Sequence, residues 1–272
     1  MKRQRLNWQE KVRKNVRKIM DFEHVKAVFE EYLNGYDREN DKVKLKIVHT
    51  YGVIRCSEEI GRRMGLQAED MELAKLIALL HDIGRFEQLK RFNSFEADTM
   101  DHATYGVKVL FEEGMIRQFI EEDTWDDVIR TAIAKHSDYE LTGITDERTL
   151  LHARLIRDED KLDNCRVKLE DAMETLLDLS ADEVGKYAIS PKVREDAFAG
   201  KCICSKDRRT PMDYWVSYVA YFYDLNFQET LDIVAEEQYV KRIIGRVPYT
   251  NEQTKKTMEE LERQLTEYVR RK

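Results

Sequence analysis

The sequence predicts an all-α protein, and three observations carry that prediction. Only three prolines occur in 272 residues, Pro191, Pro211 and Pro248, so nothing before residue 191 forbids a helix interior. Glycine is scarce at 11, and the 36% of charged residues are mixed with Leu and Ala, a composition that favours helix. Apolar residues recur at spacings of three and four, and no alternating run bounded by turn dipeptides suggests a strand. A chain of this length can bury one large core with an extension.

The elements follow in order. Residues 1–20 are a basic leader, with eight Lys or Arg and one acid before Met20; Leu6, Trp8, Val12, Val16 and Met20 can form one side of an amphipathic helix, which reads as docked on the domain, with a membrane-surface or acidic-partner role left open. A first core helix spans 21–34. The polar stretch Asn34 to Asp41 is a loop that caps the next helix, whose apolar face reads Leu45, His49, Gly52, Val53, Cys56, Ile60 and which Gly65 closes. A third helix starts at Ala68-Glu-Asp-Met71 and carries Leu73, Leu76, Ile77 and Leu80 on one face, ending in His81-Asp82 and Gly84. Residues 85–101 read as a long loop or short helical pieces placed to cover a site.

Helices are expected at about 102–114 and 125–136, the second capped by Thr124 with Asp126 and Asp127 in its first turn. A loop at 137–146 precedes a helix that bears Asp160 behind Leu151, Leu155 and Ile156. Beyond 170 the chain breaks near 185–191 and 200–211. Thr210-Pro211 opens a helix of about 212–224, with others at 227–245 and 250–270. Their Met, Tyr and Phe stripes read as core.

Composition narrows the function. The net charge of −7 argues against a nucleic-acid polymer as partner, while leaving room for a small anion held by local positive charge. No stretch approaches 18 apolar residues, so no membrane span is expected. Four cysteines without a secretory signal suggest a reducing cytoplasm, and Cys202-Ile-Cys204, lacking a second pair, reads as structural.

The chemistry concentrates in the histidines. Of the six, His49, His81, His102 and His136 lie on apolar helical faces or at helix ends, and His24 and His152 do not fit the pattern. An Asp such as Asp82, carried into the interior on an apolar helix, needs a cation or strong donors, because an unpaired buried carboxylate costs several kcal/mol. A metal ion answers that need.

His49, then His81-Asp82, then Asp160 resembles the H…HD…D signature of the HD-domain superfamily of metal-dependent phosphohydrolases. The blocks LLHDIGR, DHATYG, AKHSD and DEDKLDN resemble that family's blocks over about residues 40–170. The resemblance implies an HD-domain helical bundle over 21–170 and a C-terminal helical extension over 171–272. It implies one divalent ion held by His49, His81, Asp82 and Asp160, with Asp82 bridging to a second held by His102 and His136. Imidazole with carboxylate suits Mn²⁺, Fe²⁺, Zn²⁺, Ni²⁺, Co²⁺ or Mg²⁺, and the donor set does not choose among them, nor between one ion and two.

The implied activity is cleavage of a phosphomonoester or phosphodiester by metal-activated water, on a nucleotide or another small phosphorylated metabolite. Arg85 stands where related proteins carry a cation that contacts phosphate; Lys161, beside Asp160, is a second candidate although its helical phase is about 100° away. The His-His-Glu and Gly-Tyr-Pro motifs of cyclic-di-GMP hydrolases are missing, as are the early paired acids of (p)ppGpp hydrolases and the extra histidine block of dNTP triphosphohydrolases. Two other readings stay open: an HD-type di-iron oxygenase and a non-catalytic metal-binding signalling module. A homodimer is also left open.

Overall fold

The computed structural model describes residues 20–96 and 98–271, so the expected leader helix through residue 19 lies outside the described residues. All regular structure among them is helical. The first half of the bundle comprises α1 (Phe22–Leu33), α2 (Asp41–Met64), α3 (Ala68–Leu80), α4 (Ile83–Phe92), α5 (His102–Val107), α6 (Ile116–Phe119), α7 (Asp126–Lys135) and α8 (Glu147–Glu170). The second half comprises α9 (Met173–Leu177), α10 (Ala181–Val184), α11 (Pro191–Phe198), α12 (Pro211–Ala220), α13 (Gln228–Glu236), α14 (Tyr239–Ile244) and α15 (Glu252–Arg271).

Side chains at the helix starts explain the boundaries. Asp21, Asn40, Asp101 and Asp146 each accept a hydrogen bond from a backbone N–H of the first turn that would otherwise lack a partner. Thr210 and Asp213 form a reciprocal capping box ahead of α12, with Pro211 at its first position. Gly65 ends α2 in the left-handed conformation at φ 69°, which glycine adopts without steric cost.

The long helices α2 and α8 lie against each other at the centre, with α3 and α7 packed alongside. Two apolar clusters fill the interior. One gathers Phe29, Leu76, Leu80, Phe86, Ile129 and Ile133 from the first half. The other gathers Trp215, Val219, Phe222, Ile243 and Leu261 from the second. Helix α8 contributes to both, through Ala153 and Ile156 on one side and Leu155, Leu162 and Cys165 on the other.

Four local expectations need correction. Residues 83–92 are a helix, so only 93–101 remain loop, and Gly84 does not stop a helix but sits inside one. A Cβ at Gly84 would lie 2.2 Å from the backbone oxygen of His102, so glycine is required where α4 crosses α5. The expected 102–114 helix is α-helical only to Val107 and continues as a π-turn over Lys108–Glu112. Thr124 does not cap α7, whose cap position is Trp125 without a side-chain bond. The 227–245 helix is broken at Gln238, which adopts φ 53°.

Candidate metal centre

Six helices converge to bring together six candidate donors. His49 comes from the middle of α2, His81 and Asp82 from the junction of α3 and α4, His102 from the first residue of α5, His136 from the end of α7, and Asp160 from the middle of α8. Asp82 takes φ −103° and ψ 17°, a sparsely populated conformation that lets the chain turn between two helices and aims its carboxylate inward. The donors form two groups, His49 with His81 and Asp160, and Asp82 with His102 and His136, each with its ligand atoms within 4.8 Å of one another. All but Asp160 are buried.

The imidazoles are oriented from behind. His81 Nδ1 meets the carbonyl of Ala78 at 2.8 Å and His136 Nδ1 that of Ile133 at 2.7 Å. Each Nδ1 therefore carries the proton, and each Nε2 turns a lone pair into the centre. His49 is held by a carboxylate: Nδ1 lies 2.8 Å from Asp163 Oδ2, and Nε2 lies 2.9 Å from Asp160 Oδ1. Arg166 grips both oxygens of Asp163 at 2.9 Å. A Cβ on residue 52 would fall 1.9 Å from Asp163 Oδ1, so Gly52 makes the room that this carboxylate occupies.

Asp82 faces both groups. Its Oδ1 lies 3.2 Å from His102 Nε2 and 3.7 Å from His136 Nε2. Its Oδ2 lies 3.5 Å from His81 Nε2 and 2.6 Å from Lys46 Nζ. Burial alone would raise its pKa, but Lys46, His81 and Arg85 hold it well below the usual carboxylate range. Burial likewise opposes ionisation of Asp160, and His49 and His81 reverse it, so that carboxyl is also held down. His102 is pushed down to about 3 by burial and then by the Arg85 guanidinium, which keeps it neutral and able to donate a lone pair.

The donor set fits a divalent cation. His81 Nε2 is fully buried and has no hydrogen-bond partner, a polar atom left orphaned at the middle of the donor set. Fixed Nδ1 hydrogen bonds and two ionised carboxylates suit metal ligation, and at His81, where burial lowers the pKa but Asp82 and Asp160 raise it by more, a metal would displace a proton.

Arg85 is brought to the centre. Its Nη2 lies 2.9 Å from His102 Nε2 and its Nε 3.7 Å from Asp82 Oδ1, while Nη1 donates to Gln88 Oε1 and to the carbonyl of Phe95. Gln88 in turn donates to Glu96 O and Thr99 Oγ1, so α4 holds the 93–101 loop against the site. Lys161 is not brought there. It pairs with Asp224 at 2.8 Å and donates to Arg157 O, because one residue beyond Asp160 on a helix faces another direction. His152 pairs with Asp70 at 3.0 Å, and His24 meets the carbonyl of Gln118; neither joins the cluster.

Sequence reasoning missed Lys46, Asp163, Asn164 and Lys168. Lys46 lies three residues before His49, and Asp163 three after Asp160, so helical spacing from a ligand was the signal available for both.

An all-helical protein with buried, preoriented imidazoles and carboxylates in two adjoining groups belongs to the class of helical metal-binding proteins. Residues 47–165 match the HD domain family model. No curated protein and no solved structure gives a significant match. Among the described residues no helix is long and apolar enough to cross a membrane.

Proposed function

We propose that the chain hydrolyses a phosphate ester, a phosphomonoester or phosphodiester, in a small phosphorylated metabolite with a nucleotide foremost. The observation that carries this reading is Asp82, which offers one oxygen to each of two donor groups while Lys46 and Arg85 stand at the same carboxylate. Divalent ions at such a site supply Lewis-acid stabilisation of phosphoryl charge and lower the pKa of water.

The protein's own groups complete the chemistry. The planar guanidinium of Arg85 is suited to hold two phosphoryl oxygens, and the Lys46 ammonium adds a point charge beside them. Their positions are set before substrate arrives, so stabilisation of developing negative charge needs little reorganisation. The reading includes a cytoplasmic setting, in keeping with four unpaired cysteines.

The test is a screen of phosphomonoesters and phosphodiesters with protein loaded in turn with Mn²⁺, Fe²⁺, Co²⁺, Ni²⁺ and Zn²⁺. Metal-dependent release of phosphate that disappears in Asp82→Ala, and proceeds equally without O₂, supports hydrolysis. A product that forms only with Fe²⁺ and O₂ overturns it in favour of an oxygenase.

A further inference from the structure

Lys168 is a buried cation that the donor cluster does not use. It lies on α8 two turns beyond Asp160 and is 6% exposed. Among the described residues no carboxylate reaches salt-bridge distance of its ammonium. Its contacts are the amide oxygen of Asn164 at 3.4 Å and the face of Tyr218, whose ring centroid is 4.0 Å away. Asn164 connects it to the metal centre, since its Nδ2 donates to Asp160 Oδ1 at 2.8 Å. Asp160, Asn164 and Lys168 thus line one face of α8 at four-residue spacing.

The charge of the neighbourhood sharpens the problem. Burial, followed by the proximity of Lys46, holds the Lys168 ammonium down to about 8, with only partial compensation from Asp160. Arg166 already neutralises Asp163. That leaves Asp82 and Asp160 at the centre facing three cations, Lys46, Arg85 and Lys168, with Asp171 a weaker counter-charge to Lys168, before any divalent ion is added. Lys46 has Asp82 as its counter-ion at 2.6 Å, whereas Lys168 has none at that reach, and a buried cation without one is costly. The Phe95 ring stands beside Lys46 on the other side, at 5.9 Å.

We propose that Lys46 and Lys168 form an oxyanion subsite next to the metal centre, and that the substrate carries a second, non-scissile anionic group that docks there. This rests on the phosphate-ester reading above and narrows it to substrates with two anionic groups. A Lys ammonium binds phosphate or carboxylate as a point charge; the Asn164 amide, whose Nδ2 donates to Asp160 O and Oδ1 and whose oxygen accepts from Lys168, positions that ammonium beside the centre. The Tyr218 face holds the Lys168 ammonium, whose Nζ lies 4.0 Å from the ring centroid, so that little side-chain entropy is lost on binding.

The probes are propylphosphonate, propane-1,3-diphosphonate and 3-phosphonopropionate, which are not hydrolysed, titrated calorimetrically into the Mn²⁺-loaded protein. At least one of the two dianionic-headed probes is expected to bind ten-fold tighter than propylphosphonate, and which one gains tells a phosphate from a carboxylate. Lys168→Met, which keeps an unbranched stem and removes the charge, is expected to erase that gain while changing propylphosphonate binding less than two-fold. It is also expected to melt no lower than wild type, because an uncompensated buried charge has gone; Lys168→Gln provides a second neutral variant. No gain in wild type, or a gain that survives both variants, overturns the subsite. If propylphosphonate still binds in a metal-dependent way, the phosphate-ester reading stands without it. Failure of all three probes to bind removes both.

Discussion

Asp163→Asn tests how the first donor group is built. Asp163 accepts from His49 Nδ1 at 2.8 Å and from Arg166 Nε and Nη2 at 2.9 Å, so both carboxylate oxygens are engaged by donors. An amide offers one oxygen and one NH₂. If the oxygen stays on His49, the NH₂ opposes Arg166; if it turns to Arg166, the NH₂ opposes the imidazole N–H. An unsatisfied buried donor costs about 1–3 kcal/mol. Loss of a carboxylate behind a ligating imidazole typically lowers metal affinity by about 10–100-fold, or about 1.4–2.7 kcal/mol. The two ranges agree, and Asp163→Asn is expected to weaken the ion at His49, His81 and Asp160 by that factor in a chelator-competition titration. Gly52→Ala approaches the same carboxylate from α2: its Cβ would sit 1.9 Å from Oδ1, and the pinned side chain could yield only by leaving His49 or Arg166. It should reproduce the affinity loss and add instability. Metal affinity within two-fold of wild type in Asp163→Asn refutes the argument that this carboxylate orients His49.

Three further outcomes are expected. His81→Ala and Asp82→Ala should contain no metal by ICP-MS and turn over no phosphate ester, His102→Ala should fall from two ions per chain to one or fewer, and His152→Ala, which faces Asp70, should keep metal and turnover; metal retained in Asp82→Ala would sink the assignment. Gly84→Ala should lower the melting temperature, since its Cβ meets backbone atoms of His102 at 2.2 Å and Gly106 at 2.7 Å and the strain of overpacking is about 1–3 kcal/mol or more; an unchanged melt refutes the close crossing. Lys168, with its pKa lowered from 10.5 to about 8 by burial and Lys46, binds fewer protons in the folded than in the unfolded state across that interval, so its contribution makes stability rise with pH there, by up to about 3 kcal/mol; denaturant melts of wild type and Lys168→Met should converge between pH 8 and pH 10.5, and a constant gap refutes the shift.

The six donors were legible because each sits on or ends an apolar helical stripe, where a polar residue stands out: His49 follows Leu45, His81 follows Leu76, Ile77 and Leu80, and His136 follows Ile129 and Ile133. Asp163 and Lys168 were not, because α8 reads Arg-Asp-Glu-Asp-Lys-Leu-Asp-Asn across its middle. Such a run looks like a solvated face, and what buries it comes from far along the chain: Asn226 donates to Asp158, and Asp224 receives Arg157 and Lys161. The 83–92 helix was hidden for a different reason. Gly84 after His-Asp resembles a stop signal, whereas its actual constraint is the backbone of α5, which no local pattern encodes. The break at Gln238 has no local signature, as a glutamine seldom adopts positive φ.

The buried charges of α8 also tie the second half of the chain to the second donor group. Arg157, 3% exposed, donates to the carbonyls of Lys135, His136 and Asp138, at and just beyond the C-terminal end of α7. Asp224, from the turn after α12, balances that guanidinium at 2.5 Å, and Asp158 anchors the same turn through the N–H groups of Asn226 and Phe227. The ligand His136 is therefore held in place by an arginine whose counter-ion lies 67 residues away. Asp224→Ala leaves Arg157 buried without its partner, a change of the kind that costs about 3–5 kcal/mol. His49 and His81 have no bond to Arg157, since they are fixed by Asp163 and Ala78. The variant should accordingly lose the ion at Asp82, His102 and His136 before the one at His49, His81 and Asp160. Stepwise metal titration of wild type and Asp224→Ala reads this directly: selective weakening of one of two binding steps is expected, and equal weakening of both, or of neither, refutes the coupling.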